Sequence, residues 1–517
     1  MTSEQTAWGK AAESQGTTDS ERVLARLARK AFLSLWSYPN VFSDEGRAGG
    51  KGDGKELVDL LVVFGNDVLL FSDKQCAFQE HADQKVAWRR WYERAIAKSA
   101  RQLSGAESFL RRFPDRVFVD KSCQVKLPVP LPDERSARYF LIAVTRGGHE
   151  AAARHFGGGS SGSLMLNNTL EGTAHYERPF EVGFPLNKRH FVHVLDEMTV
   201  DLLLEELDTV PDLVDYLACK ESFFGANGVS MMISGEEDLL ARYMCTMEDG
   251  KHALPNLPNG YEVVSIPEGD WRFYSSSPQR AAKREADAAS YMWDALIEHQ
   301  AGYVREGTAI GLLDAPPEAF DHERVLRALA DEPRLARRDL TAHLRSVLSR
   351  SEPGKKFARV IFSLTKPSRV YVFLSATPSP GSDYKVYRET RQAVLAAYCH
   401  GVKKRCPEAT EAVGIASDSI SVRDGSVDFV YVDLAEAMGA EEIAHWEAVM
   451  EELDVLQTPP EKAQHFRGKS HEFPVPFYFG EPEFFKYGPS RPMSRAERRR
   501  MEREARKANK RPREPIR

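Results

Sequence analysis

Hydrophobic and polar positions follow two periods along this chain, and each change of period predicts an element. Behind Ser20, apolar residues fall at Val23, Leu24, Leu27, Ala31 and Leu35, the three- and four-residue steps of one helix face. Ser20 reads as the N-cap, and Pro39 bounds the helix because the residue before a proline avoids the α region. The polar stretch SDEGRAGGKGDGK at 43–55 reads as a loop. Two short apolar runs follow, LVDLLVVF and VLLFS, joined by Gly65-Asn66-Asp67, which is the pattern of a β-hairpin. The helical period returns over 84–112, with Trp88, Trp91, Tyr92, Ala95, Ser99, Leu103, Ala106 and Leu110 on the inward stripe. Arg89, Arg90, Arg94, Lys98 and Arg101 lie largely off that stripe. Strand-like runs at 117–120 and 139–145 complete the order helix, hairpin, helix, strand, strand.

The Gly/Ser run at 157–163 reads as a boundary or an insertion. Residues 190–225 read as a strand, FVHVL, then acidic helical segments. The acids from Asp196 to Asp215, including Glu205, Glu206 and Asp208, fit solvated helix faces. Trp271, Phe273 and Tyr274 read as core. Further on, FARVIFSL and RVYVFLS flank a Lys-Pro-Ser turn, a helix follows near 385–404, then strands ending in VDFVYVDL and a helix near 440–455. The expected organisation is a disordered 1–20, an α/β domain over 21–150, a mixed region over 151–350 and an α+β domain over 351–456. An irregular wrap over 457–493 and a basic helical tail over 494–517 complete it.

Composition changes this picture at few points. The 517 residues are 28% charged and 42% hydrophobic, ordinary for a globular chain. Without a long apolar run or a basic-then-apolar N-terminus, neither a membrane span nor a secretory signal is expected, and a cytoplasmic setting fits. The six cysteines are scattered without a CxxC pair, which argues against a structural zinc site or a disulfide framework. Charge is uneven. Ser494–Arg517 holds eleven Lys/Arg against four Glu, a surplus of +7, so the rest carries −13 of the net −6. Such a tail suits a polyanion through counterion release, and equally a solvated helix or intermolecular arm that would make a homo-oligomer.

The chemistry concentrates in GKELVDLLVVFGNDVLLFSDKQC, residues 54–76. Asp59 interrupts a run that otherwise reads as a buried strand, and a buried carboxylate needs a cation or several hydrogen bonds. The return strand ends in Asp73-Lys74, and the preceding helix carries Glu21. This arrangement resembles the PD-(D/E)xK nuclease superfamily, over roughly residues 21–145. The resemblance implies a restriction-endonuclease-like fold, a central mixed sheet flanked by helices. It also implies a catalytic set of Glu21, Asp59, Asp73 and Lys74, with Glu21, Asp59 and Asp73 as ligands of Mg2+ or Mn2+. Such an ion lowers the pKa of water and neutralises charge developing on the phosphodiester. Arg94, Lys98, Arg101 and Gln102 would contact phosphates of a nucleic acid, DNA before RNA.

One departure is explicit. The superfamily's second acid lies two residues before the lysine, on the same strand face, and here that place is Ser72. A bulge could turn Asp73 inward, Asp73 could act with Gln75, or the site could be degenerate. Gly49 to Lys55 has the GxxxxGK spacing, but Glu56 follows where a P-loop needs Ser or Thr. His149 and His155 read as loop residues without further ligand spacing. The leading expectation is a magnesium-dependent endonuclease, by analogy in prokaryotic defence or repair. Its rivals are a catalytically inactive nuclease fold that binds or scaffolds, and a regulatory partner-binding protein unrelated to nucleic acid.

Overall fold

The computed structural model describes residues 9–11, 15–47, 52–157, 159–226, 228–248, 251–256, 262–308, 319–350, 352–420, 422, 425–436, 438–457, 470–474 and 483–485. The Gly49–Lys51 part of the P-loop-like spacing and the basic tail lie outside them, as does most of the irregular wrap. The first long helix, α1, spans Asp19–Phe32. Its N-cap is Thr18 and not Ser20. The Thr18 hydroxyl accepts the Glu21 N–H while the Glu21 carboxylate accepts the Thr18 N–H, a reciprocal capping box. Strand β1 (Ser37–Ser43) contains Pro39, which the helical period had marked only as a breaker. Its outer neighbour β4 (Val117–Phe118) pairs only with Phe42 and Ser43, so Pro39 occupies an edge stretch, where the ladder tolerates a proline.

The hairpin forms as expected. Strand β2 (Lys55–Phe64) turns through Gly65, at φ +59°, into β3 (Asp67–Gln75). β5 (Arg138–Arg146) and β8 (Val192–Asp196) then add in parallel, giving the mixed order β4-β1-β2-β3-β5-β8. Residues 57–64 of β2 are all buried, because helices cover both faces of the sheet. On one face Phe32 of α1 meets Phe71, with centroids 6.2 Å apart. On the other, Arg111 stacks 4.2 Å over Tyr139, which pairs in register with Val68. Arg111 belongs to the helix Lys98–Arg112 (α3), which continues Gln84–Tyr92 (α2) through a π-turn at Glu93–Ala97. The whole expected inward stripe of this helix, Trp88 to Leu110, is buried.

His149 and His155 lie in helix α4 (His149–Phe156), not in a loop, as the Ala-rich sequence between them permits. Strands β6 (Met165–Glu171), β7 (Glu181–Phe184) and β9 (Ser230–Ile233) belong to a second mixed sheet. After a short ribbon of β10 (Met247–Glu248) and β11 (Lys251–His252), that sheet is completed by β12 (Val263–Ile266) and β17 (Glu483–Phe485). A third sheet, β13 (Lys356–Phe362), β14 (Arg369–Ala376), β15 (Glu411–Asp418) and β16 (Val427–Asp433), carries the helix Tyr384–Arg405 as its parallel crossover. The architecture is therefore mixed α/β, with several mixed sheets flanked by helices. No helix among the described residues is long and apolar enough to cross a membrane.

Two expectations change. The acids from Asp196 to Asp215 do not all face solvent as expected. Asp196 is held by Thr199, Glu206 binds Arg280 and Asp208 binds Arg334, all three buried, whereas Glu205 of helix α5 (Thr199–Glu206) and Asp215 of helix α6 (Val210–Phe224) stay exposed and Glu197, Asp201 and Asp212 are half-buried. Helical spacing cannot distinguish an acid facing water from one facing a distant arginine. Of the three aromatics expected in the core, Tyr274 is buried and Phe273 is exposed. The first sheet also runs past residue 150, since β8 pairs with β5, and one apolar cluster extends from α1 into the third sheet.

Candidate active site

β2 and β3 pair from Phe64↔Asp67 to Leu60↔Phe71, and there the antiparallel ladder stops. Past that point the Asp59 carboxylate, 4% exposed, takes the place of a backbone partner. Its Oδ2 accepts the Asp73 N–H at 2.5 Å and lies 3.4 Å from Lys74 Nζ. Burial raises the Asp59 pKa, and the nearby Glu21 charge raises it further, against the Lys74 charge and the Asp73 N–H. The aspartate thus reaches its lysine through the local opening of two strands.

Asp73 faces the other way, as strand alternation requires. Its carboxylate accepts the Arg146 Nε–H at 2.9 and 3.1 Å, and Arg146 is the register partner of Gln75. Of the three alternatives, a bulge in β3 is not seen, since its register with β5 runs unbroken from Asp67 to Gln75. Asp73 therefore does not join Asp59 as a second metal ligand, and its pairing with an arginine accounts for it. Ser72, on the Lys74 side, is fully buried and its hydroxyl has no hydrogen-bond partner.

Glu21 sits between two roles. It closes the α1 capping box, accepts the Thr17 N–H at 2.8 Å, and accepts the Asn40 amide at 3.2 Å. Burial works against these hydrogen bonds, and they still hold its pKa below the usual value. The same Asn40 amide donates to Glu56 at 2.6 Å. Glu56 and Asn40 escaped the sequence reading. The β1–β2 register skips Leu57 between Val41↔Val58 and Phe42↔Glu56, and this irregularity moves Glu56 out of simple alternation. Glu56 stays exposed at the surface, yet the protein around its carboxylate raises its pKa, and the charges of Asp59 and Glu21 raise it further. The only sequence signal was an acid three positions before Asp59 in KELVD.

Glu21, Glu56 and Asp59 are thus electrostatically coupled hard-oxygen donors at one sheet end, beside an ammonium group. Their ligand atoms do not all lie within 4.8 Å of one another. The expected ligand trio of Glu21, Asp59 and Asp73 does not converge. Among the described residues, the three carboxylates with ligand atoms within 4.8 Å of one another are Glu237, Asp238 and Glu268. Of the expected phosphate contacts, Arg94, Lys98 and Arg101 form an exposed stripe, and Arg101 reaches Glu93 at 3.3 Å. Gln102 instead donates to the Leu57 carbonyl at 3.3 Å, tying α3 to the start of β2.

No protein-family model, curated protein or solved structure matches this chain.

Proposed function

We propose that this chain hydrolyses phosphodiester bonds in nucleic acid, DNA before RNA, from a restriction-endonuclease-like sheet whose site is centred on Asp59 and Lys74. The observation that carries this reading is the buried Asp59 carboxylate in contact with Lys74 at the end of a splayed hairpin. Asp59 would hold the cation, magnesium or manganese, with Glu56 or Glu21 in the place the superfamily gives to the acid before the lysine. When bound, the ion supplies a water of lowered pKa and neutralises phosphate charge. Lys74, 30% exposed at its side chain, can turn from Asp59 toward a phosphate oxygen or the attacking water. Asn40 holds Glu21 and Glu56 in register. The exposed stripe of Arg94, Lys98 and Arg101 would steer the backbone by charge alone.

Cleavage of plasmid and single-stranded DNA, with magnesium or manganese, tests this. Asp59→Ala is expected to fall to the no-enzyme level. Lys74→Met is expected to lose on the order of 100-fold, the effect of removing one group that stabilises developing charge. Cleavage undiminished in Asp59→Ala would dismiss the assignment. A second reading, an inactive nuclease-like binding module, is favoured by the Ser72 departure and by Asp73 being held by Arg146. Salt-dependent DNA binding with no cleavage under either metal selects it.

A further inference from the structure

Helix α7 (Glu236–Cys245) opens with three consecutive acids. The first is satisfied, since Glu236 accepts the Tyr216 hydroxyl at 2.6 Å and binds the Lys220 ammonium. The next two are not. Glu237 is 4% exposed, and its carboxylate oxygens have the Ser161 and Ser163 hydroxyls and its own backbone N–H nearby but make a well-formed hydrogen bond to none of them. Asp238 is 1% exposed. Its Oδ1 accepts the Gly269 and Trp271 N–H groups at 3.2 and 2.8 Å, and its Oδ2 has no partner. Glu268, exposed at the turn before helix α8 (Asp270–Ser275), approaches from outside and accepts the Ser161 N–H at 2.7 Å. Ligand atoms of all three lie within 4.8 Å of one another.

Several buried acids of this fold are answered by a cation from its own chain, and Asp196, which has none, is answered by the Leu164, Met198 and Thr199 N–H groups. Glu206 has Arg280, Asp294 has Arg334 and Arg337, Asp287 has Lys283, and Asp428 has Arg391. Among the described residues no Lys, Arg or His forms an ion pair with Glu237, Asp238 or Glu268. The positive helix N-terminus favours acids in the first turn. That field acts on Glu236 as well, and Glu236 still recruits Lys220. Asp196, whose charge is also felt at Glu237, adds to the negative potential. Burial, ahead of every other cause, pushes Glu237 up to about 7 and Asp238 up to about 6.

We propose that Glu237, Asp238 and Glu268 bind a hard divalent cation, which fastens the start of α7 to the β12–α8 turn and, through Glu268, to the Ser161 loop. One carboxylate oxygen from each of the three residues lies within 4.8 Å of the others, and Glu268 is exposed, so water can complete the ligand set. Several oxygens from irregular backbone segments suit calcium, which tolerates variable geometry, better than magnesium, which demands an octahedron. The site is separate from the one centred on Asp59 and does not depend on its assignment.

The full-length protein, stripped with EDTA, is titrated with Ca2+, Mg2+ or Mn2+ at pH 7.5 by calorimetry and thermal melting. Calcium is expected to bind and to raise the melting temperature. Asp59→Ala should keep that response. Glu237→Gln and Asp238→Asn should each weaken binding by at least about tenfold, the scale of lost metal-site contacts. Glu237→Gln should also melt no lower than the cation-free wild type, because it removes an uncompensated charge. Terbium luminescence gives an independent readout of the same site in either variant. Absence of binding by any of the three ions to the wild type overturns the proposal and leaves protons as the occupants. Binding undiminished in both variants overturns it as well.

Discussion

Asp59 and Asp73 are each 4% exposed, and burial raises the pKa of both. Their partners separate them. Asp59 faces a backbone N–H and a half-exposed lysine that can move, whereas Asp73 is clamped by a side chain only 11% exposed. Removing one member of a buried pair leaves the other charge uncompensated. Arg146→Met is therefore expected to cost about 3–5 kcal/mol of stability, read as a lowered urea midpoint. Asp73→Asn should retain cleavage activity if Asp73 is the structural acid described here. Glu237 gives a second prediction at this scale. Its folded value of about 7 lies above the ordinary carboxyl value of 4.5, so folding takes up a proton between these pH values. In cation-free protein, the Glu237 contribution falls as pH rises through that window, by about 3 kcal/mol in all. The stability of Glu237→Gln relative to wild type should accordingly grow between pH 5 and pH 8. A flat difference would show that Glu237 ionises freely in the folded state.

The elements that carry the site were legible to different degrees, and the differences have physical causes. The β2–β3 hairpin and the stripe of α2 and α3 were readable because period and turn chemistry are local. The Asp59–Lys74 contact followed from the hairpin alone. Glu56 was not readable, since its position depends on a register irregularity against β1, a strand hidden by Pro39. Arg146 was not readable as the partner of Asp73, which lies in a different strand 73 residues away. Glu21 was expected as a ligand, and its helix cap shifted to Thr18 because the Thr18–Glu21 spacing completes a capping box. The cap also positions the Glu21 carboxylate for Asn40. Thr18→Ala should therefore cost about 1 kcal/mol in global stability. It should reduce cleavage by less than Asp59→Ala does, because Glu21 keeps the Thr17 and Asn40 hydrogen bonds. Equal losses in the two variants would make Glu21 positioning as important as the aspartate itself.

At the scale of the whole molecule, the first sheet cannot be cut where the Gly/Ser run suggested. β8 covers the edge of β5, and Thr145 donates to the Leu195 carbonyl at 3.3 Å. Trp88, buried in the α2 stripe, donates to the His175 carbonyl at 2.6 Å, and its ring packs 5.0 Å from Phe180. Trp36 reaches further still, donating to Glu323 at 2.8 Å, and Ser34 binds Glu298. A fragment ending at residue 150 would expose the β5 edge and the aromatic face of α2 together. Unpaired edges and apolar patches of that kind lead to association. Residues 1–150 expressed alone are expected to aggregate or to lack a cooperative melting transition by circular dichroism. The full chain should melt cooperatively and show no protease-resistant core ending near 150. A soluble, cooperatively folded fragment with DNA-cleaving activity would mean that the sheet through β5 suffices, and that the Trp36 and Trp88 contacts bind a second unit rather than complete the first.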